Sequence, residues 1–307
     1  MNRISSEVLA PSIPVSLERD ESTPGLMADL VMLVKARLTL LVLITTFVGF
    51  CMASGGKLDL MQLLYTLLGT ALVAAASQTL NQVIEVDVDR LMERTKDRPI
   101  PAGRIKRLHA LWFGVAMAVT GMVVLAALVN SPAACMAAAT LVIYLGLYTP
   151  LKRYTPFCIT IGAVAGAIPP ALGWVAAKPS MDAGAWVLFA ILFFWQMPHF
   201  LAIAWMYRDE YAGAGFVMLR PRDTDGSVTA AESFIFTLAL LAASLAPYFL
   251  KLASPVYFAG AIALNAVILV CSVQFLFKRT RNSSRRLFFA SIIYLPILVA
   301  LLVFARA

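Results

Sequence analysis

Charge is what this chain lacks. Of its 307 residues only 14% are Asp, Glu, Lys or Arg, while 61% are apolar. Soluble domains are nearer a quarter charged and about half apolar. The balance excludes a water-soluble enzyme and points to an integral membrane protein. Cysteine is also sparse. Cys51, Cys135, Cys158 and Cys271 fall in or beside apolar runs, with neither paired nor metal-site spacing, and read as small apolar packers. A cleavable leader is not expected, because no apolar h-region follows Arg3, and Glu7, Glu18, Asp20 and Glu21 argue against a transit peptide. Residues 1–24, polar and containing Pro11, Pro14 and Pro24, are expected to form a disordered cytoplasmic tail before a transmembrane domain at 25–307.

What is there is apolar length. Nine runs suffice to cross about 30 Å of hydrocarbon: 38–54, 60–81, 108–129, 133–148, 158–177, 183–206, 230–250, 256–277 and 287–304. With the N-terminus inside, every Lys and Arg except Lys57, Lys178, Lys251 and Arg306 falls in an inside segment. The positive-inside rule therefore predicts an all-α, polytopic protein with nine spans, N-in and C-out. It also accounts for the net charge of +8 without nucleic acid.

The charge that exists is concentrated at 81–107, between the second and third spans. Asn81, Glu85 and Asp89 follow at i, i+4, i+8, and four residues turn only about 40° past a full turn, so one helical face carries all three. An amide and two carboxylates are hard oxygen donors of the kind Mg²⁺ takes together with substrate phosphates. Arg94 and Arg98 repeat the spacing with planar forks suited to phosphate, before Pro99 and Pro101 end the helix. Lys152 and Arg153 follow Pro150, which is expected to stop the fourth span, and they are expected to contact the same anion. The competing reading of the row is a juxtamembrane helix with solvated ion pairs. Lys35 and Arg37 read first as orientation anchors.

Two later spans carry polar signals. In 158–177, Gly162 and Gly166 are spaced for close helix approach, and Pro169-Pro170 is expected to break or kink the helix beside a cavity. In 183–206, Trp195-Gln196-Met197-Pro198-His199-Phe200 places one of only two histidines inside the membrane, where an ionisable group is functional by default. Glu210 lies eleven residues on, about three turns, and falls near the same face if the helix continues. The last three spans read as scaffold or lipid-tail channel.

Asn81-x3-Glu85-x3-Asp89 followed by Met92-x-Arg94-Thr95-x2-Arg98-Pro99 resembles the first motif of the UbiA superfamily of intramembrane prenyltransferases, with Gln82 and Glu85 in place of the usual first two aspartates. YTPLKR at 148–153, WQMPHF at 195–200 and YRDEYAGAGFVML at 207–219 are similar to further marks of its protohaem IX farnesyltransferase branch. A second pair of carboxylates at i, i+4 is missing, since Asp209 is followed by Gly213, and only Glu210 matches. The resemblance implies a UbiA-like prenyltransferase fold in a bacterial cytoplasmic membrane, farnesyl diphosphate and haem b as substrates, and haem O as product. Haem A synthase or terminal oxidase assembly would be the downstream partner. It further implies catalytic and Mg²⁺-holding roles for Asn81, Glu85, Asp89 and Glu210, and diphosphate contacts from Arg94, Arg98, Lys152 and Arg153. His199 is the candidate for holding haem, with Trp195 and Tyr148 lining its pocket. Two alternatives stay open: prenylation of an aromatic quinone precursor such as 4-hydroxybenzoate, and a membrane haem carrier.

Overall fold

The computed structural model describes residues 25–306, so the expected tail at 1–24 lies outside the described residues. The elements are α1 (Leu26–Leu33), α2 (Ala36–Ala53), α3 (Leu60–Asp89), α4 (Arg107–Leu128), α5 (Ser131–Leu151), α6 (Cys158–Ala177), α7 (Ala183–Met206), α8 (Arg208–Gly213), α9 (Ser227–Phe249), α10 (Pro255–Lys278) and α11 (Arg281–Phe304). All but α1 and α8 are long and apolar enough to span a membrane, which makes nine among the described residues. The fold is all-helical, as the apolar runs predict.

Polar caps start four of the nine spans among the described residues. The Asp59 carboxylate accepts from Met61 and Gln62 N–H ahead of α3, and Asn130 accepts from Ala133 N–H ahead of α5. Asn130 also donates to the Val175 and Ala176 carbonyls, tying α5 to the end of α6. At the opposite end of the bundle the charged loops are laced together. Arg104 pairs with Asp29 of α1, Gln82 donates to the Leu33 carbonyl at 2.7 Å, Val217 N–H donates to the Lys152 carbonyl, and Arg279 pairs with Asp225.

The helix α6 sits at the centre. Proline was expected to break or kink it, and of the two a break is ruled out, since the helix runs on through Pro169 and Pro170. Most of it is buried, so surrounding helices and not lipid receive the backbone that the prolines free. Closest approach occurs against α2, where a Cβ built on Gly49 would sit 1.8 Å from the Pro170 carbonyl oxygen and one on Gly173 would sit 1.9 Å from that of Thr46. The expected pair, Gly162 and Gly166, meets side chains instead, the Tyr148 ring and the Gln196 amide. These two glycines make room for the cavity wall.

Two more boundaries differ from expectation. Helix α3 stops at Asp89, ahead of Pro99, and Thr95 Oγ1 donates to the Asp89 carbonyl at 2.9 Å, folding residues 90–105 back as turns. Arg94 and Arg98 therefore do not share a helical face. Helix α5 passes Pro150 because Val142–Tyr148 widens into a π-turn, in which Thr149 N–H and Oγ1 both reach the Tyr144 carbonyl.

Candidate active site

A cavity of about 520 Å³ opens among α2, α3, α5, α6 and α7 at the charged end. Asn81, Glu85 and Asp89 all line it, as their spacing predicts, and are 1%, 6% and 2% exposed. Buried carboxylates need partners, and both have one. Lys152 Nζ bonds both Glu85 oxygens at 2.9 and 3.1 Å, and Arg98 Nη1 meets Asp89 Oδ2 at 2.6 Å. Asn81 Nδ2 donates to Thr149 Oγ1 at 3.1 Å, which leaves Oδ1 as an acceptor. Lys152 also lies 4.5 Å from the Tyr148 ring centre.

Arg94 lines the same cavity from the turn after α3. Its side chain bonds Tyr211 Oη at 3.0 Å, and its backbone N–H is accepted by Glu210 Oε1 at 3.2 Å. Here the sequence expectation is corrected. Helix α7 ends at Met206, the chain turns at Tyr207, and Glu210 sits on the short α8, so His199 and Glu210 share no continuous helix. Glu210 does not line the cavity; it fastens the Arg94 turn. Arg153 is exposed and is also absent from the cavity wall, because the chain turns after Leu151 and only Lys152 of the pair reaches inward.

Lys35 was read first as an anchor, but it lines the cavity. It links α1 to α2 with φ 45° and ψ 59°, a left-handed conformation uncommon outside glycine. Burial in the wall, then the neighbouring Arg98 and Lys152 cations, push its ammonium down to about 7.

His199, Trp195 and Tyr148 all line the cavity, Tyr148 beside Lys152 and the other two deeper in. The His199 ring is sandwiched, with Trp195 and Phe288 each at 5.0 Å between ring centres and near parallel. Its Nδ1 lies 2.8 Å from Ser291 Oγ, and that hydroxyl donates its single proton to the Phe288 carbonyl at 2.6 Å. Ser291 Oγ must then accept, which assigns the proton to Nδ1 and leaves Nε2 a lone pair. Trp195 Nε1 donates to the Ser291 carbonyl at 2.8 Å. Helix α11, expected to be scaffold or lipid-tail channel, supplies Ser291 and Phe288 as partners of His199 and Leu295 to the cavity wall. A serine in an apolar helix carries no signal in the sequence.

Hard oxygen donors and several cations at one end of an apolar cavity, with an oriented imidazole deeper in, suit an anionic head and a greasy body. Among the described residues no group of three or more His, Cys, Asp or Glu forms a preassembled metal cage.

The comparisons agree with this geometry. A profile described as UbiA prenyltransferase family matches residues 42–293. The protoheme IX farnesyltransferase of Solibacter usitatus (strain Ellin6076) is 41% identical over 289 residues, covering 91% of this chain and 99% of that protein. A solved structure from work on digeranylgeranylglyceryl phosphate synthase has a TM-score of 0.77 at 17% identity, covering 91% of this chain and 98% of that one. A UbiA homolog from Archaeoglobus fulgidus bound to GPP and Mg²⁺ has a TM-score of 0.63 at 15% identity, covering 89% and 99%. At such identities the two structures speak for the fold alone.

Proposed function

Because this chain belongs to the UbiA prenyltransferase family, we propose that it transfers a farnesyl group from farnesyl diphosphate to a vinyl group of protohaem IX, giving haem O. One observation carries the reading: the Asn81 row, the cations Lys35, Arg94, Arg98 and Lys152, and His199 all open into a single cavity. The acceptor follows the names of the relatives, of which that from Solibacter usitatus is an example.

The donor set fits Mg²⁺, a metal that usually takes one or two carboxylates and completes its shell with water and substrate phosphates. Asn81 Oδ1, Glu85 and Asp89 would hold it; that a UbiA homolog from Archaeoglobus fulgidus was solved with GPP and Mg²⁺ is in keeping with a metal in such a fold. When bound, the ion neutralises charge on the diphosphate. Lys152, Arg98 and Arg94 do the same from the protein, joined by Lys35 once the bound anion draws a proton onto it, and their effect grows as the allylic C–O bond breaks and its electron pair leaves with diphosphate. Apolar walls such as Leu41, Val42 and Leu172 keep water from the farnesyl cation. The vinyl π pair forms the new C–C bond. Water adds to the resulting cation and loses a proton, completing the hydroxyethyl-farnesyl side chain. His199, with Nδ1 held by Ser291, presents the Nε2 lone pair as a ligand for the haem iron. The charged end faces the cytoplasm of a bacterial inner membrane, and haem O passes on to haem A synthase or an oxidase.

Haems extracted from cells with and without this chain are compared by mass spectrometry. Haem O is expected only with the chain, and membranes given EDTA lose the activity until Mg²⁺ is restored. Cells that make no haem O, with membranes that prenylate 4-hydroxybenzoate from labelled donor, would overturn the acceptor.

A further inference from the structure

A second cleft opens between α7 and α11 at the charged end. Met206 and Tyr207 wall one side, and Arg281, Arg285 and Phe288 the other. The two arginines are four residues apart on α11, so they share a face, and the stripe continues through Phe288 toward Ser291. Helices α7 and α11 run antiparallel along this seam, with Ser291 bonded to both His199 and Trp195. From the charged end inward the order is an arginine pair, an aromatic ring, then the imidazole. Phe288 lines the cleft and stacks on His199, which lines the cavity, so the two spaces lie on either side of this ring pair.

Two nearby cations are held by acids, Arg279 by Asp225 and Arg220 by Glu232, while Arg286 bonds only the Gln274 amide oxygen. Among the described residues no carboxylate pairs with Arg281 or Arg285. Topology explains the sign of their charge. It does not explain why two planar forks, Arg285 resting 5.5 Å from the Phe289 ring centre, line one cleft at the head of an aromatic wall leading to His199. Guanidinium forks of this kind match carboxylates.

We propose that the cleft holds the two propionate carboxylates of the tetrapyrrole, with Arg281 and Arg285 as their partners. This rests on the haem reading above and deepens it. Propionates and vinyl groups occupy different edges of protohaem, so carboxylates pinned at the charged end direct the vinyl edge into the cavity. Selection of the acceptor is then set partly on α11, away from the Asn81 row.

The test compares protohaem with its dimethyl ester, in which both carboxylates are masked, using full-length wild-type protein and R281Q/R285Q in vesicles. Wild type should show a KM for the ester about tenfold or more above that for the acid, as expected for losing charge-assisted bonds. The variant should take both with the same high KM, while its KM for farnesyl diphosphate stays at the wild-type value, which also shows that it is folded. R281K/R285K should recover part of the preference. A variant that still favours the acid as wild type does, or a wild type that treats acid and ester alike, overturns the proposal. So does a defect that follows the anionic phospholipid content of the vesicles instead of esterification, which would assign the cleft to a lipid headgroup. Failure of wild type to farnesylate either tetrapyrrole, with phenols accepted, marks failure of the acceptor reading itself.

Discussion

Lys152 and Arg153 are adjacent cations with unequal fates. One bonds both oxygens of Glu85 inside the cavity, and the other is exposed. Lys152→Ala should therefore lower kcat/KM by roughly a hundredfold or more, the scale of losing a preorganised charge at a leaving group. Arg153→Ala should change it little, in steady-state assays with saturating protohaem. Asp89→Ala should abolish haem O formation while the protein still reaches the membrane; full activity would remove Asp89 from the metal set. Ser291→Ala frees the His199 tautomer and should weaken protohaem binding by about tenfold or more, as losses of a ligand's supporting partner do. Ser291→Thr should restore it, read from the Soret band on titration. The places of Asn81, Glu85 and Asp89 in the cavity wall were legible from their i, i+4, i+8 spacing, and that of His199 from an ionisable group inside an apolar span. Ser291 and Phe288 were not, because their roles depend on which helix lies opposite.

Helix ends and crossings set where those side chains go. The spans were readable from apolar length, but their ends were not. Stopping α3 at Asp89 takes a hydrogen bond from Thr95, and carrying α5 past Pro150 takes a π-turn. The glycines of α6 were visible as a small-residue stripe, yet spacing alone does not reveal whether a glycine meets a backbone or a ring. That distinction makes a prediction. Gly173→Ala drives a methyl into the Thr46 carbonyl and should cost at least about 1–3 kcal/mol, measured as a lower Tm in detergent. Gly162→Ala meets only the Tyr148 ring, so its expected defect is in turnover, with Tm near wild type.

On the scale of the whole molecule, the charged loops join one another at a single end, as the Lys and Arg distribution implied. A reporter active only outside the cytoplasm should be inactive when fused after Lys278 and active when fused after Ala307. The reverse pattern would invert the topology. Both acids at that end already hold a cation, Glu85 with Lys152 and Asp89 with Arg98. Consider what each ligand does on arriving alone. Free magnesium pulls the acids away and strands two cations; free pyrophosphate recruits the cations and strands two acids. Only the combined salt compensates both signs together. Metal and donor should consequently enter as a couple, each tightening the other's hold, and a membrane enzyme built this way stays indifferent to stray ions of either sign.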